Sequence, residues 1–130
     1  MSEIRATTIS DTAGTGPVTL TGQSAAKAWV NYSGQGTPSI SDSFNVSSLT
    51  DNTTGQQTSN FTNSMSGANF GFQANACNTI DGDNNGYHCA QQSRATSPVA
   101  TGIRVCSFAS NNGAAFDARY VTVTTQGDLA

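Results

Sequence analysis

Apolar residues recur along this chain in short runs with a period of two, and Gly, Asn, Asp and Ser separate the runs. The plainest case is Asn69-Phe-Gly-Phe-Gln-Ala-Asn-Ala-Cys77, in which Phe70, Phe72, Ala74 and Ala76 alternate with polar residues or glycine. That pattern marks a strand with one buried face. Thr101–Phe108 repeats it through Ile103 and Val105, and Ala115–Thr125, with Phe116, Tyr120, Val121 and Val123, reads as the last strand. Earlier strands are predicted over 26–32, which carries the single Trp, over 39–44 and 45–49, over 56–62, and over 88–92. Thr50-Asp-Asn-Thr-Thr-Gly55 reads as a hairpin turn. No segment shows the helical period. Short strands with turns at this spacing predict a single antiparallel β-sandwich or jelly-roll-like domain over residues 26–130.

Residues 1–25 differ in kind. They are small and polar, with one short strand pattern at Pro17–Leu20, and are expected to form an extended arm without a core of its own. Its apolar residues Ile4, Ile9, Val18 and Leu20 suit addition to a partner's sheet edge or groove. Within the domain, the expected core anchors are Trp29, Val30, Ile40, Phe44, Val46, Leu49, Phe61, Phe70, Phe72, Ile103, Val105, Phe108, Phe116, Tyr120, Val121 and Val123. So thin a set makes a lone monomer marginal, and association is the expected remedy.

Composition supports the all-β reading. Thr, Ser, Asn, Gln and Gly number 18, 16, 12, 8 and 13 of 130 residues, whereas Glu and Lys occur once each. Eight acids against five bases give a net charge of −3, and the bases (Arg5, Lys27, Arg94, Arg104, Arg119) are scattered. No basic face can be assembled from them, so nucleic acid is not an expected partner. No apolar stretch approaches a membrane span, and Met1–Thr8 lacks the apolar region of a secretory signal.

Candidate chemistry is sparse. The spacing of Cys77, Cys89 and Cys106 matches no zinc pattern, and His88 is the single histidine. The cysteines are expected to be small buried strand residues, with their disulfide state open. Asp81-Gly-Asp-Asn-Asn-Gly86 matches the opening of a calcium loop, but position twelve is Gln92 where that loop needs Glu. A turn is therefore expected, with calcium as the alternative. Four N-x-S/T triplets, at Asn31, Asn45, Asn52 and Asn60, are no more than this composition yields by chance. His88 and Cys89 are adjacent and so point to opposite faces of a strand, which makes a poor dyad. Cys77 or Cys106 opposite His88, or an Asp81/Asp83 carboxylate pair, are the other catalytic arrangements. No enzyme activity and no cofactor are expected. The loop 78–87 offers Asp81, Asp83, Asn85 and Tyr87 as a polar, aromatic-tipped ligand-binding surface suited to a glycan.

The run Ala26-Lys-Ala-Trp-Val-Asn-Tyr-Ser-Gly-Gln-Gly36 continues through Ser43-Phe-Asn-Val-Ser-Ser-Leu-Thr-Asp-Asn52 and Gly55 to Asn60-Phe-Thr-Asn-Ser-Met65. This series resembles a recurring module of tailed bacteriophages, covering about residues 5–72. Ile4–Ile9 and Gly14–Leu20 are similar to the leader of such proteins. The resemblance implies a small virion fibre, spike or fibre tip, expected to be a homotrimer and to have no catalytic residues. On that footing the arm would bind other virion proteins, and loop 78–87 would contact the host surface. A capsid decoration protein is the alternative. A secreted sugar-binding sandwich, with Tyr32 or Tyr87 as stacking platforms, is the third. A fibre should project from the particle, whereas a decoration protein should lie flat across capsomer boundaries.

Overall fold

Alternation along the chain decides which side of each strand is buried, and it builds the fold strand by strand. The computed structural model describes residues 25–77, 88–92 (backbone only), 98–109 and 112–130. Its strands are β1 (Ala26–Ser33), β2 (Ser39–Phe44), β3 (Val46–Thr53), β4 (Gln56–Phe61), β5 (Gly71–Cys77), β6 (His88–Gln92), β7 (Gly102–Ala109) and β8 (Tyr120–Gln126). Every pairing is antiparallel, in the order β2-β1-β8-β5-β6-β7-β4-β3. No helix occurs among the described residues.

This sheet folds back on itself. β1 buries Ala28, Val30 and Tyr32, β8 buries Val121, Val123 and Thr125, and β5 buries Ala76. Against them β4 buries Gln57, Ser59 and Phe61, and β7 buries Ile103, Val105 and Ser107. The apolar members join Val46, Met65 and Ala118 in one core. The halves β2-β1-β8-β5 and β6-β7-β4-β3 are thus the two layers of an antiparallel β-sandwich, the fold class expected from the sequence.

The core differs from the expected list in a regular way. Trp29 is only half-buried, because it lies on the opposite face of β1 from Ala28, Val30 and Tyr32. Ile40, Phe44 and Tyr120 are exposed, at 36%, 53% and 45%. Leu49, Phe70, Phe72 and Phe116 pack on the margin of the core. Small residues, Ala28, Ala76 and Ala118, take inner positions instead.

Two boundaries also move. β3 runs on to Thr53, so the turn is the pair Thr54-Gly55, with Gly55 at φ 72°. The last strand starts at Tyr120, because Ala115 makes only an isolated bridge to Phe108.

Candidate binding surfaces

Asn45 sits between β2 and β3 at φ 56°, a left-handed conformation that Asn tolerates better than most residues. Its side chain explains the choice. Nδ2 donates to the Lys27 and Asn63 carbonyls, each at 3.0 Å, and Oδ1 accepts the Asn63 N–H at 2.7 Å. The Asn45 carbonyl accepts the Thr62 N–H at 3.1 Å. One residue therefore ties β1, the β2–β3 corner and the segment after β4. Phe61 and Met65, from the Asn60–Met65 run, enter the core with Val46.

A second knot closes the other end of the β3–β4 hairpin. Asp117 Oδ1 accepts the Gly55 N–H at 2.7 Å and the Gln57 amide at 3.3 Å. The Ser107 N–H donates to the Gly55 carbonyl at 2.7 Å. Between the layers, Tyr32 OH, Gln57 Oε1, Ser59 Oγ and Ser107 Oγ are buried without a hydrogen-bond partner among the described residues. Burial lifts the Tyr32 phenol far above its ordinary range, so it stays neutral.

The two outer faces have different chemistry. On β3 and β4, Asn52 Nδ2 donates to the Thr50 and Gln56 carbonyls and to Thr58 Oγ1, while its Oδ1 accepts from Arg104 on β7. Asn60 Nδ2 donates to Ser48 Oγ and Thr50 Oγ1. This face spends its amides and hydroxyls on itself. The outer side of β2-β1-β8 instead carries Phe44 in register with Trp29, Asp42 in register with Asn31, and Trp29 in register with Thr124. Further along, Arg119 lies 5.4 Å above the Tyr120 ring.

The expected site residues fall unevenly. Asp81, Asp83, Asn85 and Tyr87, the calcium-like loop they belong to, and the arm residues Ile4, Ile9, Val18 and Leu20 lie outside the described residues. Tyr32, offered as a stacking platform, is 1% exposed and points inward, so it cannot stack on a ligand.

Two of the three cysteines depart from the expected buried positions, Cys77 being exposed and Cys106 half-buried, while the Cys89 side chain lies outside what the structure describes. Parity is the reason. Both are on the outer parity of their strands, alternating with Ala76 and with Val105 and Ser107. Partial burial raises the Cys106 thiol above its ordinary value, which keeps it protonated and weakly nucleophilic at neutral pH. Register sets Cys77 opposite Tyr120, Cys106 opposite Gln91, and His88 opposite Ala109. Neither thiol is thus the cross-strand partner of His88. No cluster of three or more metal-ligating side chains occurs among the described residues. Comparison with protein-family models, curated proteins and solved structures finds no match.

Proposed function

We propose that this chain is a virion structural protein of a tailed bacteriophage, a trimeric surface fibre or spike that takes part in host attachment. The observation carrying the reading is what the phage-like motif does in the fold. Its residues build the framework: Asn45 pins three segments, and Val46, Phe61 and Met65 fill the core. A motif spent on scaffolding suits a structural module whose recognition is left to loops. The sparse charge and self-satisfied polar face of β3-β4 suit a particle surface. In this reading residues 1–25 bind other virion proteins, and loop 78–87 presents Asp81, Asp83, Asn85 and Tyr87 to a host glycan. Three copies of a weak site gain through avidity.

Imaging of phage particles carrying a labelled copy tests the placement, with density projecting from the surface expected. Density lying flat across capsomer boundaries would instead establish capsid decoration, and its absence from particles would overturn both. Removal of residues 1–25 should leave a folded domain that no longer joins particles. Normal incorporation of that truncation would refute the attachment role of the arm.

A further inference from the structure

The outer faces of the two layers differ in what their amides do. On β3 and β4, Asn52 and Asn60 bond hydroxyls and carbonyls of their own face. Across β2-β1-β8-β5 the register instead builds two parallel rows of outward positions. One row is Phe44, Trp29, Thr124 and Gln73, and the next is Asp42, Asn31, Thr122 and Asn75. The β1–β2 slip falls beyond Asn31, so no irregularity interrupts either row. Asn31, Gln73 and Asn75 are exposed, and among the described residues no hydrogen bond engages their side-chain amides.

The chemistry of the rows selects the occupant. Asp42 is the one charged residue in them and it is negative, so nucleic acid, an anionic lipid or an acidic peptide finds no counter-charge here. A protein partner needs an apolar centre to its contact, and the only rings, Trp29 and Phe44, stand at one end of a single row. Each free amide offers both a donor and an acceptor, and each threonine hydroxyl does the same. Sugar hydroxyls are donor and acceptor in the same way, and the C–H faces of a pyranose ring stack on aromatic rings. Asp42 gives one carboxylate oxygen to the Ser43 N–H, at 2.8 Å, and keeps the other for a hydroxyl. Neighbouring strands lie about 4.8 Å apart, so each row offers polar groups at a pitch close to the size of a sugar ring. An open sheet face holds a single sugar poorly, since small-ligand sites are concave. It suits a chain of sugars that meets several strands at once.

We propose that the outer face of β2-β1-β8-β5 binds an uncharged glycan chain laid across the strands. Trp29 and Phe44 stack on it at one end, and Asn31, Asn75 and Gln73 hydrogen-bond its hydroxyls along the rest. This surface is separate from loop 78–87, and neither needs the other.

Trp29 is the single tryptophan, so its fluorescence reads occupancy of this face directly. The full chain is titrated with cellohexaose, xylohexaose and mannohexaose, and with hexagalacturonate as the anionic counterpart. At least one neutral hexasaccharide should move the Trp29 emission to shorter wavelength and saturate, and the matching disaccharide should bind about tenfold more weakly. Phe44→Ser and Asn75→Ala, at opposite ends of the face, should each raise the half-saturation concentration about tenfold. Asp81→Ala and Tyr87→Ala in the loop should leave it unchanged. Denaturant midpoints check that the variants are folded. Should Phe44→Ser prove unfolded, Asn75→Ala decides by itself. Emission that no neutral hexasaccharide moves would overturn the proposal, as would binding that Phe44→Ser and Asn75→Ala leave intact. Equally tight binding of hexagalacturonate would overturn its preference for uncharged chains. Particle imaging still decides the fibre reading on its own.

Discussion

Asn45 combines a left-handed backbone with three side-chain hydrogen bonds to Lys27 and Asn63. Replacing it by Ala removes those bonds and leaves the backbone strained, an expected loss of about 2–4 kcal/mol. Asn45→Gly relieves the strain alone and should cost about 1 kcal/mol less. Denaturant midpoints at unchanged m-value measure both, and equal losses would show that the conformation contributes nothing. Tyr32 gives a pH signature. Its phenol is raised by burial, so below the ordinary phenol range both folded and unfolded chains keep the proton and stability is flat. Above about pH 10 the unfolded chain releases that proton while the folded one retains it, and stability falls by about 1.4 kcal/mol per pH unit. Tyr32→Phe should remove that slope. It should also cost little at neutral pH, since the hydroxyl bonds no described residue. Chemical denaturation of both proteins at pH 7 and pH 11 reads the difference.

At the scale of elements, the β3–β4 hairpin shows why one turn glycine is indispensable and another is not. A Cβ on Gly55 would lie 2.6 Å from the Ser107 carbonyl and 2.8 Å from the Phe116 nitrogen, at φ 72°. Gly36 has a similar φ of 62° and open space around it. Gly36→Ala should therefore cost about 1–2 kcal/mol through backbone strain alone. Gly55→Ala should cost clearly more, because Ser107 and Phe116 must also move. Thermal unfolding of the two variants side by side checks the order, and equal losses would contradict it. Strand positions were largely legible in the sequence, because alternation of apolar and polar residues is a local signal. What alternation leaves open is which face is covered. Trp29 and Tyr32 differ by one step of parity, and the larger ring lies outside while the smaller lies within. Cys77 and Cys106 lie on the outer face for the same reason. β3 outruns its sequence pattern because Thr50, Asp51 and Asn52 are turn-forming residues, yet Asn52 reaches across the sheet to Thr58 and Arg104 and holds the strand. The arm and loop 78–87 stood out by composition, which carries no geometry.

For the whole molecule, the decisive feature is the place of β8. It lies between β1 and β5, pairing along its length with both. Thr125 Oγ1 donates to the Ala28 carbonyl across 97 positions of sequence. Deleting residues 120–130 should therefore leave no native sheet, read as loss of cooperative unfolding by circular dichroism. A folded truncation would show that β1 and β5 can pair without it. The same arrangement sets a timetable for synthesis. A ribosome adds roughly 5–20 residues per second, so β1 is made several seconds before the strand that completes its layer. During that interval β1 has β2 along one edge and nothing along the other, and the layer cannot close until β8 has cleared the exit tunnel. A nascent chain halted before that point is not a smaller version of the protein but an open strand set, ready for a chaperone or a protease.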